Sequence, residues 1–98
     1  MAAHSQSQDL LGQVTLNDAP TKSKLFRFCE KKIDQWIQAH RSEGRVPAEF
    51  RVSFNEDDGE QVSCVTEILV DGSTWRGCDL ASDVHEAFMH SLKRLQPH

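Results

Sequence analysis

The chain has 98 residues, of which 38% are hydrophobic, and its formal net charge is −4 at pH 7. This length suits one compact domain and is too short for two. The negative net charge argues against a protein whose whole surface binds nucleic acid, since such domains are usually strongly basic. No run of about eighteen consecutive apolar residues is present, so the sequence predicts no membrane-spanning helix and no membrane partner.

The first stretch, "MAAHSQSQDLLG", is polar and has no apolar run of the kind found in signal peptides. We expect a flexible tail over residues 1–12 and a single α+β domain over residues 13–96. The cysteines, Cys29, Cys64 and Cys78, are odd in number and show no C-x-x-C spacing. This pattern favours buried thiols in a reducing compartment over disulfide bonds, so we expect a cytoplasmic protein.

The first helix is predicted after a short strand, "GQVTL". Between Lys22 and His40 the apolar residues recur at steps of three and four, which predicts a helix with one buried stripe. The stripe consists of Leu25, Phe26, Cys29, Ile33, Trp36 and Ile37. Gly44 and Pro47 end any continuation of this helix.

Three strands are predicted to follow. Phe50, Val52 and Phe54 alternate with polar residues, as in a strand with one buried face. The run "QVSCVTEILV" is rich in β-branched residues, and the Asp71-Gly72 pair at its end is typical of a two-residue hairpin turn. The segment "STWRGC" then returns as a shorter strand.

A second helix is predicted near the end of the sequence. Its apolar stripe again falls at steps of three and four and consists of Val84, Ala87, Phe88, Ser91, Leu92 and Leu95. Ser82 or Asp79 can cap its first turn, and Pro97 marks its end. The order of elements predicts an α+β sandwich, β-α-β-β-β-α, with two helices packed on one face of a mostly antiparallel sheet.

The sequence has no motif with a known catalytic or metal-binding mechanism, such as a Gly-rich phosphate loop, H-E-x-x-H or G-x-S-x-G. His85 and His90 lie five residues apart, on different faces of the second helix, and neither has a cysteine at ligand spacing. The acidic loop from Glu56 to Glu60 lacks the residue order of a calcium-binding loop, which favours a solvated hairpin tip. We therefore expect no enzyme activity, no cofactor and no metal.

Charge is distributed unevenly along the chain. Residues 22–45 contain seven basic and three acidic side chains, whereas residues 46–72 contain one basic and seven acidic side chains. A protein that is acidic overall can therefore still carry a basic face.

That basic face is predicted on the first helix. Lys24, Arg27 and Lys31 follow each other at steps of three and four, with Lys32 beside them, so they line one side of the helix. On an isolated helix such a face is usually no more than a solvated surface.

Two stretches of the sequence resemble the ribosome hibernation promoting factor family, which includes the ribosome-associated inhibitor and the sigma-54 modulation proteins. The segment "LFRFCEKKIDQWI", residues 25–37, is similar to the family's first helix, where Leu, an aromatic residue, Glu, Lys and Leu recur at the same spacing. The segment "VTEILVDGSTWRGCDLASDVHEAFMHSLKRL", residues 65–95, resembles the family's last two strands and last helix, with His85 in place of the usual Tyr.

This resemblance implies a non-catalytic factor that binds the small ribosomal subunit and its RNA through basic helix faces and blocks translation. The residues carried over by position are Lys22, Lys24, Arg27, Lys31, Lys32, Lys93 and Arg94. The chain departs from the family in its acidic net charge and in its last helix, which stops at "KRLQPH" where the family continues with more Lys and Arg. Fewer basic residues predict weaker and more salt-sensitive binding, or a different partner.

Two other functions fit the same elements. A protein-protein interaction module or regulatory subunit would use an exposed sheet edge or the surface around Trp75, and it agrees with the acidic loop and the modest net charge. A double-stranded RNA-binding domain has a similar outline but places Lys-Lys-x-x-Lys at the start of its last helix, where this chain reads "ASDVHEA". The oligomeric state and the strand order do not follow from the sequence.

Overall fold

A computed structural model describes residues 10–40, 47–56 and 59–98 of the chain. In chain order its elements are β1 (Leu10–Leu16), β2 (Ala19–Pro20), α1 (Ser23–His40), β3 (Ala48–Glu56), β4 (Val62–Val70), β5 (Ser73–Ala81), α2 (Val84–Lys93) and β6 (Gln96–Pro97). The strands form one sheet in the order β2-β1-β3-β4-β5-β6, and both helices pack on one face of it. The predicted α+β fold is therefore confirmed.

The three long strands β3, β4 and β5 form an antiparallel meander, as predicted. In β3, Phe50, Val52 and Phe54 are buried against the helices, while the residues between them face the other way. The turn between β4 and β5 has φ angles of 54° at Asp71 and 77° at Gly72, which suits a two-residue hairpin. Strand β5 continues three residues beyond the predicted "STWRGC" and ends at Ala81.

The sheet also contains pairings that the sequence did not predict. Strand β1 pairs in parallel with β3, and α1 connects the two. Strand β1 begins at Leu10, two residues before the predicted strand. Residues 1–9 of the expected tail lie outside the described residues. The two-residue strands β2 and β6 extend the sheet next to β1 and β5. Strands of this length are too short to produce a hydrophobic period.

The predicted helix ends are only partly tested. The last described residue of α1 is His40, and Gly44, which was expected to end this helix, lies outside the described residues. Asp57 and Asp58 of the acidic loop also lie outside them. Neither helix in the described ranges is long and apolar enough to cross a membrane.

The core lies between the helices and the sheet. The helix residues buried in it are Cys29, Ile33 and Ile37 of α1 and Ala87, Phe88 and Ser91 of α2, which belong to the two predicted stripes. The polar side chains of Thr66 and Ser91 are also fully buried, and their hydroxyl oxygens lie 2.7 Å apart in a hydrogen bond. Burying a hydroxyl without a partner is costly, so this pair is what permits two polar residues in the core.

Helix α2 begins with a cap that differs from the prediction. The carboxylate of Asp83 accepts a hydrogen bond from the backbone N–H of Glu86 at 3.2 Å, and Asp83 has the extended backbone of an N-cap residue. The predicted caps, Ser82 and Asp79, are wrong. Asp79 lies inside β5, which extends to Ala81, and Ser82 lies two residues before the start of α2 at Val84. Asp83 immediately precedes Val84, which is the N-cap position.

Helix α2 lies very close to β5 at Gly77. A Cβ atom at this position would overlap the carbonyl oxygen of Ser91 and would lie 2.8 Å from the carbonyl carbon of Arg94. Glycine is therefore needed here to let the end of α2 pack directly on the strand.

Candidate nucleic-acid interface

Helix α1 presents three basic side chains on the side that points away from the sheet. With about 3.6 residues per turn, Lys24, Arg27 and Lys31 form a stripe roughly 60° wide, and this stripe lies opposite the buried Ile33. Lys24 and Lys31 are about 10 Å apart along the helix axis. All three side chains are exposed, so the stripe is accessible to a large ligand.

Two acidic residues of α1, Glu30 and Asp34, lie beside this basic stripe. Glu30 follows Arg27 by three residues and Asp34 follows Lys31 by three residues, a spacing at which helical side chains can form ion pairs. No ion pair in the described part of the chain includes any of these four residues. The positive charge of the stripe is therefore not committed to an internal partner there.

Two further basic residues flank the stripe. Lys22 is exposed and immediately precedes α1. Lys32 is half-buried, and its Nζ atom lies 5.9 Å from the centroid of the Phe28 ring, near the outer limit of a cation–π contact. Phe28 in turn packs edge-on against His85 and Phe88 of α2, with ring centroids 4.8 Å and 5.9 Å apart. Lys32 therefore lies beside the contact between the two helices.

The two predicted residues of α2 differ in their surroundings. Lys93 is exposed, whereas Arg94 donates a hydrogen bond from Nε to Oδ2 of Asp79 at 2.8 Å. The hydrogen bond and charge of Arg94 lower the pKa of Asp79, and Asp79 raises the pKa of Arg94 in return. Arg94 is thus already paired with an acid, and Lys93 is the more available of the two.

The seven predicted residues do not form one compact cluster. Strands β1, β3 and β5 run in the same direction, and each helix returns antiparallel to the strand before it, so α1 and α2 run side by side in the same direction. Lys22 and Lys24 therefore lie at one end of the helix layer, and Lys93 and Arg94 lie at the other. The structure brings together Lys24, Arg27 and Lys31 and leaves Lys93 and Arg94 as a separate group.

The described residues hold no arrangement typical of an active site. They contain no group of three or more His, Cys, Asp or Glu side chains that could hold a metal. Burial raises the pKa of Cys29 to about 12 and also raises the pKa of Cys64, so both are protonated thiols at neutral pH. His85 Nδ1 lies 3.9 Å from Oδ1 of Asp83, but both side chains are about half exposed.

The sheet face opposite the helices is a further exposed surface, which was not predicted from the sequence. This face, the open sheet face, carries the exposed side chains Leu11, Leu69 and Leu80. It also carries a row of charges in which Glu67 lies 3.7 Å from Arg51 and 3.3 Å from Arg76. The alternation of residues along each strand indicates which side chains share a face. Only the pairing register shows which of them are neighbours on adjacent strands.

Comparison with known proteins identifies relatives in structure alone. No protein-family model matches the chain, and no curated protein matches it. The N-terminal domain of Thermus thermophilus Protein Y superposes with a TM-score of 0.63 at 14% identity, covering 86% of this chain and 83% of that one. A ribosomal subunit interface protein from Coxiella burnetii superposes with a TM-score of 0.64 at 18% identity, covering 85% and 86%. The chain therefore shares the fold of these two proteins, and the resemblance expected from the sequence is confirmed at the level of the fold.

Proposed function

We propose that this protein is a non-catalytic cytoplasmic factor that binds the RNA of the small ribosomal subunit through α1 and blocks translation by occlusion. The observation that carries the proposal is the exposed stripe of Lys24, Arg27 and Lys31, which faces away from the sheet and has no ion-pair partner in the described residues. The Coxiella burnetii protein that shares this fold is a ribosomal subunit interface protein, which supports a ribosomal partner.

An RNA backbone is the ligand that suits this stripe. Lys and Arg side chains contact phosphates without reading bases, and these contacts supply much of the affinity of RNA-binding proteins. The first turn of α1 contains no acidic residue, so the partial positive charge of the helix N-terminus adds to that of Lys22 and Lys24. We expect Lys93 to contribute more to RNA affinity than Arg94, because Arg94 must break its hydrogen bond to Asp79 before it can contact a phosphate.

The proposed mechanism needs no chemical step. A folded domain bound to RNA excludes other ligands from the surface that it covers, so messenger and transfer RNA cannot occupy the same site. The fully buried residues of the core keep the two helices fixed on the sheet, which gives the bound protein a constant shape.

The decisive experiment is co-sedimentation of the protein with small ribosomal subunits at a series of salt concentrations. The test variant is Lys24→Gln/Arg27→Gln/Lys31→Gln. The matched control is Asn55→Asp/Gln61→Glu/Ser73→Asp, which lowers the net charge by the same amount at exposed positions away from α1. We expect wild type and control to bind at low salt, and the test variant to bind weakly at every salt concentration.

The salt dependence adds a quantitative criterion. If three phosphate contacts are lost, the slope of log K against log salt should become shallower by about two to three. In cell-free translation, wild type and control should lower the yield of protein, and the test variant should not. Equal binding by the test variant and the control would contradict the proposed contact face, and no binding by wild type at low salt would contradict the ribosomal partner.

One observation favours a protein-protein interaction module as the second candidate. The three large apolar side chains that are strongly exposed in the described residues, Leu11, Leu69 and Leu80, all lie on the open sheet face, away from α1. The double-stranded RNA-binding function is less favoured. Helix α2 begins with the Asp83 cap and has Glu86 in its first turn, where that family places a basic cluster.

A further inference from the structure

The outer edge of β1 is open along its first half. In a strand, the N–H and C=O of one residue point to the same edge, and those of the next residue point to the other edge. The carbonyl oxygen of Val14 accepts a hydrogen bond on the outer side from the N–H of Thr21 at 3.1 Å. Gly12 and Leu10 lie two and four residues earlier, so their backbone groups also point outwards. Within the described ranges these groups have no partner, since β2 pairs only with the last two residues of β1.

The opposite edge of the sheet differs, because specific contacts cover it. At the start of β5, the N–H of His98 donates to the carbonyl oxygen of Thr74 at 2.9 Å, and β6 pairs beside it. Near the end of β5, the N–H of Leu80 points to the same edge and donates to Oδ1 of Asp79 at 2.8 Å. Proteins commonly cover sheet edges in such ways to prevent unwanted strand pairing. The edge of β1 has no such cover over Leu10–Gln13 in the part of the chain that the structure describes.

A cleft of about 400 Å³ lies beside the open part of this edge. It is lined by β1 from Gly12 to Thr15, by Pro20 and Thr21, and by Ser23 and Phe26 at the start of α1. Gly12 is exposed, and a Cβ atom there would overlap the ring of Phe50, which lies opposite it in β3. The Phe50 ring stacks on Phe26 with ring centroids 5.9 Å apart. The lack of a side chain at Gly12 therefore brings aromatic surface next to the open backbone groups.

We propose that the open edge of β1 binds an extended segment of a partner protein, which adds one antiparallel strand to the sheet beside Leu10–Gln13. The chain itself marks the line of this strand. Strand β2 runs antiparallel to β1, and the chain stays beside β1 as far as Thr21 before it begins α1 at Ser23. The added strand follows the same line from that point. Leu10 and Gly12 each offer one N–H and one C=O, so up to four backbone hydrogen bonds can form.

The side chains of the added strand would alternate between two apolar surfaces. Those on the helix side enter the cleft next to Phe26, and the volume of the cleft is sufficient for a large apolar side chain. Those on the other side reach Leu11, which is 63% exposed on the open sheet face. The edge therefore favours a segment that carries apolar residues on both sides of its backbone, next to Phe26 and next to Leu11.

The open backbone groups identify the chemistry of the partner. Donors and acceptors that alternate along an edge at the spacing of a strand are matched by the backbone of another extended chain. A second copy of this protein fits less well as the partner. Its own β1 edge is free only over Leu10–Gln13, because Thr21 and β2 occupy the rest, so the two edges could overlap along these few residues only.

The first test measures hydrogen exchange of single backbone amides in the free protein by NMR. The N–H of Gly12 points to the open edge, whereas that of Gln13 points to β3. We expect Gly12 to exchange at least about tenfold faster than Gln13 after correction for the intrinsic rates. Gln13 is the matched control, because the two neighbours share any local opening of β1.

Slow exchange at Gly12 in the free protein would overturn the proposal. Slow exchange at every protein concentration would mean that the chain itself covers the edge. Exchange that slows as the protein concentration rises would mean that a second copy covers it. In both cases the edge would not be available to a partner protein.

The second test uses a library of random decapeptides displayed on phage and selected against the full-length protein. We expect the selected peptides, once synthesised, to slow the exchange of the Gly12 N–H. N-methylation of a peptide then tests for strand pairing, because only every second N–H of an added strand faces β1. Methylation of one alternate pair of amides should weaken binding by about tenfold or more, and methylation of the other pair should change it by less than about twofold.

Equal effects of the two methylated pairs would overturn the proposal, since the peptide would then bind through its side chains alone. A selection that yields no peptide able to slow exchange at Gly12 would overturn it too.

A pair of protein variants tests where the peptide lies. Leu11→Lys changes a side chain beside the open edge, and Leu80→Lys is the matched control, because both leucines are exposed on the open sheet face and Leu80 lies in β5 at the other edge. We expect Leu11→Lys to weaken peptide binding severalfold and Leu80→Lys to leave it unchanged. Equal affinity of the two variants for the peptide would overturn the proposed position beside β1.

This inference does not depend on the proposed RNA contact. Lys24→Gln/Arg27→Gln/Lys31→Gln keeps the edge of β1, so it should bind an uncharged selected peptide as wild type does. Conversely, Leu11→Lys keeps the basic stripe and should sediment with small ribosomal subunits as wild type does. Failure of one proposal is therefore visible without failure of the other.

Discussion

Arg94, immediately after α2, donates a hydrogen bond from Nε to the carboxylate of Asp79 in β5 at 2.8 Å. The same carboxylate accepts a second hydrogen bond from the backbone N–H of Leu80 through its other oxygen, also at 2.8 Å. One side chain thus joins the end of the last helix to the strand on which that helix packs. Since both groups lie at the surface, the contribution of the pair depends on salt and on pH.

The pH dependence of this pair has a definite sign. The hydrogen bond from Arg94 lowers the pKa of Asp79 in the folded state below its value in the unfolded chain. The stabilisation is therefore complete at pH values above the unfolded pKa and is lost as the pH falls through the folded pKa. We expect Asp79→Asn to lower the free energy of unfolding at neutral pH, with the difference from wild type vanishing in acid. Urea unfolding at a series of pH values measures the free energies of unfolding of both proteins. A difference between them that stays constant with pH would contradict the prediction.

Gly77 should tolerate no side chain. Gly77→Ala places a methyl group against backbone atoms of Ser91 and Arg94, which cannot rotate away as a side chain would. We expect it to lower the free energy of unfolding by about 1–3 kcal/mol, the usual cost of overpacking. Gly59→Ala is the matched control, because nothing lies within 4 Å of a Cβ atom there. Urea unfolding compares the two, and equal stability of both variants would disprove the close approach of α2.

The buried hydroxyl pair should show an asymmetric response to mutation. Ser91 donates to the carbonyl oxygen of Phe88 at 2.8 Å, which leaves Thr66 to donate to Ser91. Ser91→Ala removes the acceptor of the buried Thr66 hydroxyl and should lower the free energy of unfolding by about 1–3 kcal/mol. Thr66→Val should lower the free energy of unfolding by less, because Ser91 keeps its hydrogen bond to the carbonyl oxygen of Phe88.

A double-mutant cycle measures this coupling by urea unfolding. Ser91→Ala/Thr66→Val removes both hydroxyl groups, so no buried hydroxyl is left without an acceptor, and the double change should lower the free energy of unfolding by less than the sum of the two single changes. Additive costs would mean that Thr66 and Ser91 contribute independently.

The cap of α2 provides a direct comparison between two neighbouring residues. Asp83→Ala removes the hydrogen bond to the N–H of Glu86 and should lower the free energy of unfolding by about 1 kcal/mol. Ser82→Ala, at one of the two cap positions that the sequence predicted, should change the free energy of unfolding little. A larger effect at Ser82 than at Asp83 in thermal unfolding would show that the cap is assigned to the wrong residue.

The features that could be predicted from the sequence are local. The hairpin at Asp71-Gly72 depends on two residues that adopt positive φ readily, and the stripes of α1 and α2 depend on spacing within one helix. The strand order and the parallel pairing of β1 with β3 join residues on either side of α1, and no short pattern specifies them. The cap of α2 was misplaced because it depends on where β5 ends, which its sequence does not mark.

The candidate site also combines features that are local in the sequence with features that depend on tertiary packing. The shared face of Lys24, Arg27 and Lys31 follows from helical spacing alone and could be predicted. The pairing of Arg94 with Asp79 could not, because the two residues meet only when α2 packs on β5. Contact of either group with RNA stays a prediction.

The parallel pairing of β1 with β3 also has a consequence for the order of folding. Strands β3, β4 and β5 are close together in the sequence and can pair soon after collapse, and α2 follows shortly after β5. Strand β1 must wait, because Leu10 reaches Ala48 only after the whole of α1 has been placed over the sheet. The last strand to dock should also open more readily than the strands that it joins, so we expect slow hydrogen exchange in the β3-β4-β5 meander and faster exchange in β1.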